Sequence, residues 1–445
     1  MRKPSLLNPE LEARLVGSIE AGRLMIVCGA GLSMAAPSNL PSARAVAEAC
    51  FDKYVVAIDP ACDPALRENL EAFAEHFVPL GTFKSVFIRE LVPWNLFARH
   101  PNLGHSAIAD FLLTRTAVAA LSANYDFLIE RCAWEFGAEF RASLDGDQAT
   151  VQSTKHSPLL KFHGCQNLDP EETVWTKSQL TEPIIAGRVV KSRMWMAANL
   201  REKDLLVVGF WTDWAYLNEV IGTALTGVTP LSVTVVDMAT AQLLEDKAPD
   251  LWSLAHADHV IFTHVQEDGA RFLDELRRAY SRSFLRKVIR AGVEVFEAET
   301  GGACDPQWLD VPDHGSQALY GLRRDAEGVP HTLPARQKTP APSEILGFFH
   351  LLLRRAGSTQ TPEGYSYNGL TIRVVNGANA VLSRMVARYA EPPSLPVAAI
   401  TAAIGATNLG LPDDIVRAGT PGDIVRPASA GRWLDFAAAR EALGL

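Results

Sequence analysis

Paired cysteines are missing from this 445-residue chain. Its six cysteines, Cys28, Cys50, Cys62, Cys132, Cys165 and Cys304, are scattered singly, and none lies in a CxxC pair. That spacing argues against a structural zinc site, and no metal is expected. The start, MRKPSLLNPELEARL, has basic residues but no apolar stretch with a cleavage site, so no signal peptide and a cytoplasmic, reducing setting are expected. Long apolar runs are also missing. Nothing approaches the roughly 18 apolar residues of a membrane span. Basic residues are outnumbered, 42 Lys and Arg against 51 Asp and Glu, for a formal charge of −9. This balance speaks against coating a nucleic acid by bulk charge, and no direct nucleic-acid partner is expected. What is abundant is apolar residues, 48% against 21% charged. That excludes global disorder and suffices for cores in two or three domains.

Short apolar strands alternate with helices out to about residue 290. A first helix has Asn8 as cap, Pro9 at its first position and Gly22 as stop. Strands are predicted at Leu24–Cys28, 117–121, 157–164, 204–210 and 231–237, and YVVAI at 54–58 reads equally as strand or helix. Residues 44–100 read mostly as a helical insertion. The pattern is that of an α/β protein, a Rossmann-like parallel sheet with helices on both faces. Residues 291–445 read as a separate α+β module, opening with Pro- and Gly-rich loops. A buried helix at 343–357 follows, capped by Ser343, and then a strand in GLTIRVVN. The tetrapeptide DIVR recurs at 414–417 and 423–426, which is no repeat architecture.

The chemistry-bearing residues fall just after the strands, where open α/β sheets bind ligands. Gly29–Ala30–Gly31–Leu32–Ser33 follows the first strand and precedes a helix, as a phosphate-approaching turn does. Taken alone it is equally a tight structural turn. The position where a dehydrogenase fingerprint wants a third small residue holds Met34. Asn124 and Asp126 follow the second strand, where Asn and Asp are also common turn formers. His163 ends the third strand, Gly209 the fourth and Asp237 the fifth. His105, in PNLGHSAI, reads as a structural residue holding the loop before its helix. Together the glycine turn, the Asn-x-Asp and the His would converge on one crevice able to hold a dinucleotide.

This ordered set resembles the sirtuin superfamily, and more specifically its prokaryotic sirtuin-like branch of NAD-consuming antiphage effectors. The matching pieces are GAGLS at 29–33, Pro41, PNLGHSAIADFL at 101–112, SANYD at 122–126, LLKFHG ending in His163–Gly164, and VVGFW with the strand ending at Asp237. They span about residues 20–280. The resemblance implies a catalytic domain over 1–290. NAD+ would be its substrate, Asn124 and His163 its catalytic residues, and Gly29, Ala30, Gly31, Ser33, Asp126, Gly209 and Asp237 its cofactor contacts. It further implies cleavage of NAD+ to nicotinamide and ADP-ribose, linear or cyclic. The effector would be gated, with a homo-oligomer and an activator such as a HerA-type ATPase or a phage protein expected as partners ahead of a short Argonaute. Two departures weigh against protein deacylation: the absent Cys pairs, and Gly209–Phe210–Trp211 where the family has Gly-Thr-Ser. The alternatives are a deacylase, a dehydrogenase, and a non-catalytic nucleotide-sensing or assembly module.

Overall fold

The computed structural model describes residues 6–211, 230–327, 344–377, 381–382, 385, 398–406 and 431–445. The Ser343 cap, the two DIVR segments and the proline-rich stretch at 329–342 lie outside the described residues. The chain divides into two units, Met1–Leu276 and Arg277–Leu445, and the division falls within the helix Gly269–Ala291.

The first unit is built on a six-stranded parallel sheet: β1 Leu24–Cys28, β2 Ala119–Ser122, β3 Leu159–Leu160, β4 Asp204–Val208, β5 Ser232–Asp237 and β6 Ile261–Gln266, in the order β3-β2-β1-β4-β5-β6. Helices cover the sheet, as the sequence pattern predicts. β1 lies between β2 and β4 and is buried at all five positions. That placement explains its continuous apolar run, since a strand covered on both faces has no polar side. The strand order reverses direction between β1 and β4, which sets a crevice at their carboxyl ends. Asn8 caps the first helix by accepting from Leu11 N at 2.8 Å.

Two strand expectations need correction. The strand predicted over 157–164 is ordered as strand only at Leu159–Leu160. Pro158 offers no N–H at its start, and Lys161 N turns away to Ser143 O at 2.8 Å, leaving 161–164 as a loop. β6 was not foreseen, because IFTHVQ is an edge strand, half-exposed, whose polar residues mask any apolar alternation. YVVAI resolves to the last turn of the helix Ala43–Ala57, with Ile58 as its C-cap.

The helical insertion has its own aromatic core. Phe73, Phe77, Phe83 and Phe87 are buried together with Trp175, which the chain supplies from a later loop. Most of these rings meet edge to face, Phe73 and Phe77 at 5.1 Å for example, the arrangement that aromatic quadrupoles favour.

The second unit is α+β. Its five-stranded sheet comprises β7 Thr359–Thr361, β8 Gly364–Tyr367, β9 Leu370–Asn376, β10 Ile400–Ile404 and β11 Arg432–Leu434, ordered β11-β10-β9-β8-β7. β7, β8 and β9 pair antiparallel, and β9, β10 and β11 parallel. The helix Glu344–Arg355 buries every residue from Leu346 to Leu353. Arg373 on β9 clamps Asp325 with two nitrogens, both at 2.7 Å. Among the described residues no helix is long and apolar enough to cross a membrane.

Candidate functional site

The glycine turn after β1 is shaped by backbone contact with the end of β4. Gly29 N donates to Val208 O at 3.2 Å and Gly31 N to Gly209 O at 2.9 Å. A Cβ on Gly29 would lie 2.6 Å from Phe210 Cα, and one on Gly31 2.8 Å from Gly209 Cα. Gly209 itself has φ +55°, a conformation glycine adopts without strain. Glycine is therefore required at these three positions because two loops touch backbone to backbone. Ala30 and Gly31 form the exposed crest. Phe210 and Trp211 turn into the core of the sheet instead, and Trp211 Nε1 donates to Leu244 O at 2.7 Å.

Ser33 sits one turn further on and is buried. Its hydroxyl donates to Asp126 Oδ2 at 2.8 Å, lies 3.0 Å from His105 Nε2, and accepts from Asn124 Nδ2 at 3.1 Å. The protons can be placed. His105 Nδ1 faces the Asn102 backbone N–H at 3.1 Å, a group that only donates, so Nδ1 is bare and Nε2 carries the hydrogen. His105 therefore donates to Ser33. One hydrogen given and two received fill the capacity of the Ser33 hydroxyl. The trio has the composition of a serine-hydrolase triad, but its His cannot act as the base toward Ser33. It is a scaffold that fixes Asn124 and Asp126. The sequence reading of His105 as structural agrees with the capping box it forms with Asn102.

Asn124 follows β2. Its backbone N–H donates to Ser122 Oγ at 3.1 Å, so the serine hydroxyl fixes the start of the turn. Nδ2 donates to Gly29 O at 3.1 Å as well as to Ser33. A carbonyl can only accept, so the amide orientation is determined and Oδ1 is the remaining polar atom. Oδ1 has no intramolecular partner among the described residues. Asp126 is committed on both oxygens, with Oδ1 accepting from Leu128 N at 3.1 Å.

His163 is tied to the same segment. Its Nδ1 lies 3.2 Å from Ala123 O, the carbonyl immediately before Asn124, and its ring stacks on Tyr125, the residue immediately after. Nδ1 facing a carbonyl must carry the hydrogen, which leaves Nε2 as the basic nitrogen, 3.3 Å from the Tyr125 hydroxyl. Burial pushes its pKa down to about 4 against a smaller opposing pull from the Ala123 carbonyl. The imidazole is therefore neutral near pH 7. Asp237 ends β5, and its carboxylate closes a turn by accepting from Ala239 N at 2.9 Å. Of the predicted residues, Ser33, Asn124, Asp126 and His163 are linked through β1 and β2, and Gly29, Gly31 and Gly209 through β1 and β4.

The sequence reading missed a buried ion pair beneath this loop. Lys161 and Glu130 meet at 2.8 Å with both side chains almost wholly enclosed. Lys161 Nζ also donates to Asp126 O and approaches Cys165 Sγ at 3.5 Å. Burial alone would lower the lysine pKa, but Glu130, Cys165 and Asp126 outweigh it and the ammonium stays protonated. The available signal was a lysine inside an otherwise apolar strand-like run, LLKFHG.

Several histidines are held neutral by burial: His105 and His163 down to about 4, and His350 down to about 3. Each has a depressed folded-state pKa, so its contribution to stability is complete above the unfolded value near 6.5. It is lost as pH falls toward 4, where the unfolded chain takes up protons that the folded one refuses. The thermal midpoint is expected to be level from pH 8 to 7 and to fall steadily between 6.5 and 4. A midpoint level down to pH 4.5 in differential scanning calorimetry would contradict these burials.

Residues 118–230 match the profile of the SIR2-like domain family. That segment contains Asn124, Asp126, Lys161, His163 and Gly209, and it supports the sirtuin-superfamily resemblance read from the motifs. Solved structures similar to the chain include one described as the structural basis for the mechanism and regulation of Sir2 enzymes (14% identity, TM-score 0.35, 62% of this chain and 100% of that one). A Sir2 homologue–NAD complex is also similar (12% identity, TM-score 0.38, 64% and 97%). So is a mutant Sir2 homologue with ADP-ribose (15% identity, TM-score 0.35, 62% and 98%). Among curated proteins no relative matches.

Proposed function

We propose, on the premise of its SIR2-like domain, that this chain binds NAD+ at the carboxyl ends of β1 and β2 and hydrolyses the nicotinamide–ribose bond. In this reading it is a gated NAD+ glycohydrolase of bacterial antiphage defence. The observation that carries the reading is that His163 is tied to the stretch of backbone that carries Asn124. Among the described residues one amide oxygen has no partner, and one neutral imidazole is anchored to the adjacent carbonyl. In the proposed reaction the C–N bond breaks with its electron pair going to nicotinamide, which departs neutral, through an oxocarbenium-like state. Water adds to the ribose carbon and gives a proton to His163 Nε2. Asn124 Oδ1 orders that water or the ribose hydroxyls.

A base with a pKa near 4 holds a proton weakly. Its contribution falls at the low end of the usual ~10²–10⁴-fold for positioned general-base help. Most of the acceleration then rests on the neutral leaving group and on shelter of the cation. Regulation follows from the same reading. A freely running NAD+ hydrolase depletes its own cell, so activity is gated by self-association or by a protein activator such as a HerA-type ATPase or a phage protein.

The test is nicotinamide release from NAD+ by the purified chain, alone, concentrated, and with its genomic neighbour, followed between pH 4 and 8. Release without any acyl-peptide supports the proposal. Release only with an acetyl-lysine peptide, with acetylated ADP-ribose as product, would make it a deacylase, for which the sequence lacks the usual Cys pairs. The rate is expected to stay level from pH 8 to about 5 and to fall as His163 protonates near pH 4. An acid limb centred at 6.5 would mean that His163 is not the base.

A further inference from the structure

We propose that Tyr125 is a positioning residue for His163, holding the imidazole against the Ala123 carbonyl by stacking and tying that ring, through Trp175, to the aromatic core of the helical insertion. The proposal rests on the glycohydrolase reading for its catalytic consequence, but not for its geometry. Tyr125 occupies the middle position of the Asn-x-Asp motif, which the motif itself leaves unspecified.

Three rings are stacked in series. His163 lies on Tyr125 with centroids 4.8 Å apart and planes at 27°, and Tyr125 lies on Trp175 at 4.4 Å and 29°. Trp175 then meets Phe87 at 5.6 Å and Trp94 at 5.9 Å, both edge to face and both within the insertion. The backbone repeats the connection. Val174 N donates to His163 O at 3.0 Å, Gln166 N donates to Tyr125 O at 3.0 Å, and the Tyr125 hydroxyl donates to Val174 O at 2.8 Å. The loop that carries Trp175 is held to the insertion by ion pairs of Glu172 with Lys84, Glu171 with Arg89 and Lys177 with Glu71, and by Ser178 with Glu75. A shift of the insertion therefore reaches the His163 ring through one continuous stack.

The hydroxyl adds direction to the stack. Its single hydrogen is given to Val174 O, the shorter contact, while its oxygen stands 3.3 Å from His163 Nε2. With Nδ1–H on Ala123 O, the ring is held by that one hydrogen bond and by the face of Tyr125, and a flip would turn the protonated nitrogen away from its carbonyl. Tyr125 sets a titratable phenol against His163. Lys161, two residues earlier in the chain, directs its ammonium to Glu130, Cys165 and the Asp126 carbonyl instead. The Tyr125 ring also covers the imidazole from water, so its removal re-solvates the base.

Tyr125→Phe keeps the stack and removes the hydroxyl. Tyr125→Leu removes both. For nicotinamide release, Tyr125→Phe is expected to lower kcat about 10-fold and Tyr125→Leu about 100-fold, the scale of a base displaced by about 1 Å. KM for NAD+ should stay within about twofold in both. The acid limb should move upward from near 4 toward 6.5 in Tyr125→Leu. A purely structural tyrosine would lower the thermal midpoint and leave the acid limb in place, and that result would overturn the proposal.

The second arm needs no turnover: ¹⁵N NMR of the His163 ring in the intact chain, titrated without NAD+. The wild type should show the Nδ1–H tautomer with a low pKa, and Tyr125→Leu a raised pKa with mixed tautomers. An identical tautomer and pKa in wild type and Tyr125→Leu would overturn the positioning role. If the wild type releases no nicotinamide even when concentrated and with its genomic neighbour, while the NMR differences appear, the glycohydrolase reading falls and the positioning of His163 by Tyr125 stands.

Discussion

Asn124→Ala is expected to reduce nicotinamide release from NAD+ by about 100-fold or more, while the thermal midpoint moves by only a few degrees. The asymmetry follows from what the side chain does in each state. In the folded protein its Nδ2 satisfies Gly29 O and donates to Ser33 Oγ. Losing these two costs a neutral hydrogen bond or two, each worth roughly 0.5–1.5 kcal/mol net. The Gly29 carbonyl lies beside the exposed crest of the glycine turn, where water can replace the amide. Ser33 keeps its bonds to Asp126 and His105. The proposed reaction has no such substitute. Oδ1 is the oriented acceptor of the segment, and a water in its place would be ordered by nothing. Positioning of a reactant by an oriented group is the kind of effect that a small misplacement removes at about 100-fold. Asn124→Asp is the informative companion. It keeps an oxygen but loses the donor, so a carboxylate would face Gly29 O and, through Ser33, a second carboxylate on Asp126. Both folding and rate should suffer. Turnover of Asn124→Ala within threefold of wild type would remove Asn124 from the mechanism.

The parts of this site that were legible in the sequence are those where chemistry and chain position coincide. β1 is legible because a strand buried on both faces has to be apolar throughout. Asn124, Asp126 and His163 are legible because polar residues directly after such strands are unusual enough to be weighed together. Parallel pairing follows once short apolar strands alternate with helices, since parallel strands need crossovers, but the order of the strands is not read from that alternation. β6 was illegible because an edge strand has no obligation to alternate. The glycines were read as phosphate-approaching, yet two of their N–H groups are donated across to β4. A local motif cannot report a backbone contact about 180 residues away. Tyr125 and Trp175 were illegible for the same reason. Nothing in the spacing of an Asn-x-Asp motif and a later loop announces that the two rings will stack.

The most consequential omission is Lys161, and its replacement should have the largest effect on stability. Lys161→Met is expected to cost about 3–5 kcal/mol, the range for breaking a buried ion pair by removing one partner. For a unit of this size that corresponds to a drop of roughly 10 °C in the thermal midpoint. Methionine fills nearly the same volume, so a cavity does not explain the loss. Glu130 does, because it is left buried and uncompensated. Its Oε2 already lacks a partner among the described residues, and burial already drives its carboxyl upward against the pull of Lys161. The double variant Lys161→Met with Glu130→Leu removes both charges. It should recover most of the stability, to within about 1–2 kcal/mol of wild type, because an apolar pair carries no desolvation cost. Activity should not recover in parallel. Lys161 Nζ is also the donor to the Asp126 carbonyl, the link between the ion pair and the segment that carries Asn124. The double variant is therefore expected to melt near wild type and to release nicotinamide about 10-fold more slowly. That separation identifies the ion pair as a support for loop geometry whose charge is tolerated because one of its hydrogens reaches the active segment. A double variant as unstable as Lys161→Met alone would show that the loss comes from the Asp126 carbonyl and not from Glu130. A double variant with full stability and full activity would leave the buried pair without a role in the site.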